Sequence, residues 1–488
     1  MSSLLGLTGH ALQVLLAKKE ISNEDLVKEH LTKVETIDDQ IKAFVTVTEK
    51  EALEQARKVD EQRKKGEQLP PLAGIPMALT DNICTSGIRT TCSSRMLENF
   101  VPPYNATVVE KLQAAKAVLV GKCNLDEFGL GTTTENSAFF ATHNPHDLQA
   151  VPGGACGGAA AAVAAEEVVF SLGSDTGGSL RQPASFCGVI GFKPTYGYVS
   201  RYGVIPCVSS LDQVGSLTRD MTDCALVMNA ISGHDLQDST SVSGVTPDFT
   251  SFLSNDIKGL KIGIPQEYLQ GRVAPEMMAS LEQAVEKLEE LGAYCAEVSL
   301  PHQEAISATY QIITAAEASS NLARFDGVRY GLRVEGEDVD SLFKKTRSQG
   351  FGAEVKKRII LGTYVLSSAQ YEDYYLKALK VRALIKEELE KLFQKYDCLL
   401  TPTTPTVAFN LGAEKENVWA GQLDSLTSLA NLAGIPALSL PWGTVQERPV
   451  GLQLLGRAFG EETLFRVGYT LEQNTEQTRL KLKGEGVK

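Results

Sequence analysis

Residues 173–188, GSDTGGSLRQPASFCG, place one hydroxyl, Ser179, at the end of a turn with two consecutive glycines. A hydroxyl that attacks a carbonyl needs backbone N–H groups converging where charge develops on the carbonyl oxygen, and glycines leave such groups uncovered. Glycines also serve plain close packing of two backbones. On this stretch alone the two readings stand level. Upstream, VPGGACGGAAAAVAAE over 151–166 sets Cys156 between two glycine pairs, with no hydroxyl, histidine or charge before Glu166. A thiol is a strong nucleophile only where a cation or base favours its thiolate. The local sequence offers neither, so Cys156 is expected to be a packed small residue.

The elements around these stretches alternate in period. Ser22-x-x-Asp25 has the form of a capping box, and Leu26, Val27, His30, Leu31 and Val34 follow at helical spacing. A second charged, amphipathic helix is expected over 50–66, ending near Gly66. From about residue 73 the short apolar runs LAGIPMALTDN and AVLVGKCN flank a helical ATVVEKLQAAKA. That alternation predicts a parallel or mixed β-sheet covered by helices, an α/β fold. Further strands are expected at VVFSLGSD, CGVIGFKPT, YGVIPC, LKIGIP, YCAEVSL, CLLTP, ALSLPWG and VGLQLLG, with helices over 274–291, 303–323 and 370–395. No repeat and no Pro/Ser-rich linker divides the chain, so one large domain over 1–488 is expected, with a helical section over about 1–66.

Composition narrows the function. The 488 residues are 43% hydrophobic and 22% charged, with a formal net charge of −13. An acidic chain is a poor match for a broad nucleic-acid surface, so any RNA is expected on another protein of an assembly. No run of 18 apolar residues occurs, and the first twenty residues lack the basic start and cleavage pattern of a secretory signal. Nine dispersed cysteines without a C-x-x-C pair read as reduced thiols of a cytoplasmic protein. The six histidines suggest no metal site, and His143 and His146, in THNPHD, read as solvated loop residues.

GIP(x)₄DN, the glycine-rich stretch, GSDTGGS(x)RQP, CGV(x)GFKPTYG and SLDQ(x)G(x)LTR occur in this order. Together they resemble the amidase signature family. NATVVEKL, TTTENSAF, RYGLR, NLAGIPALSLP and PVGLQLLGRAFGEETL resemble its glutamyl-tRNA(Gln) amidotransferase A-subunit branch and extend the match over nearly the whole chain. The resemblance implies an α/β amidase-signature fold, a mixed, twisted β-sheet covered by helices on both faces, with a signature core over about 73–220 and a Ser–cis-Ser–Lys triad that hydrolyses an amide without cofactor or metal. In the A subunits the amide is glutamine. The ammonia passes to a partner that activates tRNA-bound glutamate, so B- and C-subunit-like partners are implied, with no membrane.

Carried over position by position, the nucleophile falls on Ser179 and the oxyanion hole on the N–H groups of Thr176, Gly177 and Gly178. The relay serine falls on Ala155 and the lysine on Thr80, so two triad positions hold residues that cannot do the work. Cys156 and Ala159 stand at further serine positions of the same stretch. A threonine hydroxyl is no base near neutral pH. Asp81 adjoins Thr80, but neighbours on a strand point to opposite faces. The residues that would recognise a glutamine head group fall on Tyr310, Arg358 and Asp424. An arginine fork suits a carboxylate and an aspartate suits an ammonium. Three readings follow: a pseudo-amidase that keeps the pocket and subunit surfaces, an active amidase using Ser179 with an unorthodox base, and a laboratory-inactivated variant of an ordinary A subunit. Changes at 80, 155, 156 and 159 exceed what a designer needs, which counts against the third, and the first is favoured on chemical mechanism, because Thr80 and Ala155 cannot supply base and relay.

Overall fold

The computed structural model describes residues 4–244, 246–300, 302–413 and 422–478. Its strands are β1 (Phe44–Val47), β2 (Pro76–Thr80), β3 (Val118–Cys123), β4 (Phe170–Asp175), β5 (Ile190–Lys193) and β6 (Gln213–Thr218). They continue with β7 (Lys261–Ile264), β8 (Tyr294–Glu297), β9 (Cys398–Pro402), β10 (Ala437–Val445) and β11 (Arg448–Gly456). Among the described residues they form one eleven-stranded sheet in the order β1-β3-β2-β4-β6-β5-β10-β11-β9-β7-β8. β2 runs parallel to β3 and β4, and β7 parallel to β8 and β9, while the central pairs from β4 through β11 are antiparallel. This is the mixed α/β sheet that the family resemblance implies, but YGVIPC forms no strand, contributing only an isolated antiparallel bridge between Val204 and Ile83.

Local chemistry explains the edges of the elements. Ser22 caps the Asn23–Ile41 helix, its hydroxyl accepting the Asp25 N–H at 3.0 Å, and the charged helix after it spans Glu49–Lys64. The helix expected over 370–395 has two parts: a wide π turn over Tyr371–Leu376, on which the Tyr371 and Tyr375 rings lie 5.4 Å apart, then an α-helix over Lys377–Leu392. The loop histidines are not solvated as expected. Their rings are pinned to the backbone, His143 Nδ1 at 2.7 Å from the Leu148 carbonyl and His146 Nε2 at 3.0 Å from that of Cys187. The Asn-Pro turn folds inward here because both rings supply polar partners to carbonyls under it.

The alanine run is the Gly157–Ala164 helix, buried along its whole length. It shares a core with Val34, Ile37 and Ile41 of the N-terminal helix and with Leu180 and Ala184 beyond the Ser179 turn. Only small side chains permit this. A Cβ on Gly158 would lie 2.5 Å from the Asn124 carbonyl oxygen and 2.6 Å from that of Ala43. Because both are backbone atoms of neighbouring segments, a methyl group there must push chain apart. Gly158→Ala is therefore expected to cost about 1–3 kcal/mol, read as a lower midpoint in denaturant unfolding.

Candidate active site

β2 and β4 are parallel neighbours, with Leu79 beside Leu172, so their C-terminal ends open on the same edge of the sheet. β2 ends at Thr80 and β4 at Asp175, from which the chain enters the Thr176–Ser179 turn. Asp175 organises that turn. Its Oδ1 accepts the Gly178 N–H at 2.9 Å, and its Oδ2 accepts the Leu180 N–H at 3.2 Å. Arg181 closes on the same carboxylate with Nε at 3.0 Å and Nη2 at 2.9 Å, both side chains fully buried. Burial alone would raise the Asp175 carboxyl, but the Arg181 charge and hydrogen bonds outweigh it and hold the group at about 2. The guanidinium reaches on to the Thr427 carbonyl at 2.9 Å, to Gln453 Oε1 at 2.5 Å and to Asn431 Oδ1 at 2.6 Å.

Two glycines are required by what crosses them. A Cβ on Gly177 would run into the Tyr310 hydroxyl. Gly178 has φ +122° and lies against Thr427, whose hydroxyl donates to the Gly177 carbonyl at 2.5 Å. The turn is thus clamped between Tyr310 and Thr427. Because the Gly178 N–H is committed to Asp175, it is not the free donor expected of an oxyanion hole; the N–H groups of Thr176 and Gly177 have no acceptor among the described residues.

The glycine-rich stretch docks directly on this turn. The Cys156 N–H donates to the Ser179 carbonyl at 3.0 Å, and the Gly154–Ala155 peptide between the two glycine pairs is cis. The Gly154 N–H donates to Gln182 Oε1 at 2.6 Å, and Asp126 N–H and Thr134 Oγ1 donate to the Ala155 carbonyl at 3.0 and 3.2 Å. Thr80 lies on the same side. A Cβ placed on Gly173 would sit 2.9 Å from Thr80 Cγ2 and 3.1 Å from Cys156 Sγ. The structure therefore gathers Thr80, the 155–156 pair and the Ser179 turn at one edge of β4.

None of these neighbours makes a hydrogen bond to the Ser179 hydroxyl among the described residues. The Thr80 hydroxyl donates to Asn82 Oδ1 at 2.6 Å, and Asn82 donates onward to the Ser174 hydroxyl at 2.8 Å. The Cys156 thiol donates to the Ser174 carbonyl at 3.2 Å, and burial, with the Asp175 charge behind it, pushes its pKa far upward. Asp81 accepts from Thr91 N–H at 2.8 Å and lies 3.7 Å from Lys122 Nζ, so both are occupied with one another. Lys193 is buried and held at about 7, yet its Nζ donates to the Pro194 and Ile435 carbonyls at 2.9 and 2.7 Å. Among the described residues the Ser179 hydroxyl makes no hydrogen bond. Thr80, Ala155 and Cys156 are sealed from solvent, while Ser179, 9% exposed, faces a cavity of about 610 Å³.

That cavity lies in the size range of small-molecule sites, roughly 300–1,000 Å³. Ser179, Tyr310, Arg358 and Asp424 all line it. Arg358 lies inward, with Nε 3.0 Å from Glu354 Oε1, while Lys357 is largely exposed and meets the same carboxylate at 3.3 Å. Burial raises the Asp424 carboxyl to about 6, with the Arg358 charge pulling it partly back. Gln311 also reaches the cavity, hydrogen-bonded to both Arg358 and Asp424. No motif flagged Gln311, since it shows only when the helix carrying Tyr310 is seen to face both charges.

The amidase family profile matches residues 25–465. The chain belongs to the amidase family. It is 58% identical over 474 residues to the A subunit of glutamyl-tRNA(Gln) amidotransferase from Moorella thermoacetica, covering 97% of each chain. The crystal structure of the corresponding A subunit from Thermotoga maritima is similar at a TM-score of 0.79 and 42% identity, over 95% of each chain. Peptide amidase from Stenotrophomonas maltophilia is similar at a TM-score of 0.84 and 28% identity, over 98% of this chain and 99% of that one. The amidase-signature fold expected from the motifs is the fold observed.

One cluster elsewhere brings possible metal ligands together among the described residues: His10, Asp220 and Asp223. Asp223 already accepts the N–H groups of Gly9 and His10, and the His10 ring lies 3.0 Å from Asp223 and 3.3 Å from Asp220. The group docks the Gly9–Ala17 helix, Asp223 accepting the N–H groups of its first turn.

The buried Asp175–Arg181 pair sets the first site prediction. Arg181→Met leaves the carboxylate without its partner and is expected to cost about 3–5 kcal/mol, checked by urea unfolding. The Asp175 carboxyl is lowered from 3.8 to about 2, so its contribution is present above about pH 4 and is lost as pH falls toward 2. The parent should lose stability across that window, and the Arg181→Met protein should not show the same loss.

Proposed function

We propose that the protein is an amidotransferase A-subunit-like pseudo-amidase: a single amidase-signature domain that binds glutamine or a similar small amide without hydrolysing it. The observation that carries this reading is the isolation of Ser179, a nucleophile position facing a ligand-sized cavity with no base on its hydroxyl. Triad members act as a unit, and removing one in a serine protease forfeits roughly 10⁶ in rate. Here the base and relay positions hold Thr80 and Ala155, and each nearby titratable group is bonded elsewhere. Tyr310, Arg358 and Asp424 supply an aromatic hydroxyl, a cation and an anion around the same cavity, the set that an amino-acid head group requires.

By likeness to the A subunits, the chain works beside B- and C-subunit-like proteins in the cytoplasm and leaves tRNA to them. Its net charge of −13 supports that division.

Purified protein is expected to bind L-glutamine by calorimetry and to release no ammonia above background. Ammonia release abolished by Ser179→Ala would overturn the pseudo-amidase reading in favour of an unorthodox base. Thr80→Lys with Ala155→Ser should restore measurable glutaminase activity, and either change alone should do little, since base and relay serve one proton path. Binding should also depend on pH with a definite sign. Asp424 must be ionised to hold an ammonium, so affinity should fall about tenfold per unit below pH 6 and level off above it.

A further inference from the structure

Gln311 follows Tyr310 on the Ile306–Asn321 helix, and the face it shares with Ser307, Tyr310 and Thr314 lines the cavity. Its amide makes two opposite hydrogen bonds: Oε1 accepts from Arg358 Nη1, and Nε2 donates to Asp424 Oδ2 at 3.4 Å. Among the described residues Arg358 forms its ion pair with Glu354, at 3.0 Å, and none with Asp424. A guanidinium and a carboxylate at one cavity wall attract each other strongly when partly desolvated. Left to themselves they would close into a bidentate pair. Of the uncharged side chains, an amide carries a strong acceptor and a donor side by side, so it can satisfy a cation with one end and an anion with the other. A glutamate in its place only accepts, and a methionine does neither usefully.

We infer that Gln311 is a positioning residue that holds Arg358 and Asp424 apart, so that the cavity selects a ligand bearing both a carboxylate and an ammonium over one bearing either alone. The inference rests on the glutamine-pocket reading and adds its source of selectivity. Asp424 has one oxygen on the amide, and Arg358 has Nε on Glu354 and Nη1 on Gln311, which leaves its Nη2 without a hydrogen bond among the described residues. Arg358, braced by Glu354 and Gln311, has its orientation fixed before a carboxylate arrives, which lowers the ordering cost of binding. Without the spacer the two charges neutralise each other, and a zwitterion must break their pair before it can bind.

The test compares L-glutamine with 4-carbamoylbutanoate, which lacks the ammonium, and 4-aminobutanamide, which lacks the carboxylate. Calorimetry on the full chain should find the parent preferring glutamine to either analogue by about tenfold or more. Gln311→Met and Gln311→Glu should each weaken glutamine by about tenfold while changing the analogues far less, so that selectivity collapses. A crystal structure of the Gln311→Met protein should show Arg358 and Asp424 in direct contact. Parent-like selectivity in both variants, or an unchanged separation of the two charges in that crystal structure, overturns the inference while leaving the pocket reading intact. A parent that binds none of the three ligands overturns the pocket reading itself, and the selectivity falls with it.

Discussion

A guanidinium without solvent contact, locked on the carboxylate that ends β4, is the constraint from which the site is built. Asp175 accepts from the turn that presents Ser179, and Arg181 fixes Asp175 from beyond that turn. The same guanidinium binds Thr427, Asn431 and Gln453, so the stretch after Asp424 and strand β11 meet the Ser179 turn at one charged centre. A lysine could not do this. Its ammonium is a point charge, whereas the planar fork can grip a carboxylate and still aim N–H groups at three further acceptors. Asn431 completes the centre by donating to Oδ1 and to the carbonyl of Asp175, at 3.0 and 2.9 Å. With nearly every lone pair assigned, the desolvation cost of the pair is offset, and the turn has little freedom to take another shape.

This centre does not involve Thr80, Ala155 or Cys156, so substitutions there leave the scaffold in place. Thr80 spends its hydroxyl on Asn82, Ala155 is held through its carbonyl, and the Cys156 thiol is bonded to the Ser174 carbonyl. Each is a buried residue whose polar group is bonded within the protein. The residues that hold the turn are distinct from these three, so the fold of the turn does not by itself fix the chemistry beside it.

How much of this was legible in the sequence depends on the range of each interaction. The alternation of short apolar runs with helical stretches predicted the mixed sheet, because strand and helix periods are local properties. The capped helix after Ser22 and the turn before Ser179 were legible for the same reason, as was the inert setting of Cys156. The partners of Arg181 were not: Thr427, Asn431 and Gln453 lie some 250 residues away in sequence and no spacing rule joins them. Gln311 was equally hidden, since its meaning depends on Arg358 and Asp424, which arrive from two other segments. The Gly178 N–H falls in an oxyanion hole only by carrying the family's pattern over, and the sequence could not show that Asp175 accepts it.

The division between binding and turnover follows from where the polar groups are spent. Catalysis requires interactions that strengthen as the reaction proceeds, above all a base that accepts the hydroxyl proton and donors aimed at the developing oxyanion. The proposed pocket instead offers groups for formal charges that an amino acid carries from the start, Arg358 for a carboxylate and Asp424 for an ammonium. Such contacts stabilise the ground state and the transition state alike, and uniform binding does not raise a turnover rate. The Ser179 hydroxyl, on the same cavity, makes no hydrogen bond among the described residues. On the proposed reading, what separates holding an amide from cleaving one lies where Thr80 and Ala155 stand, sealed from solvent beside β4.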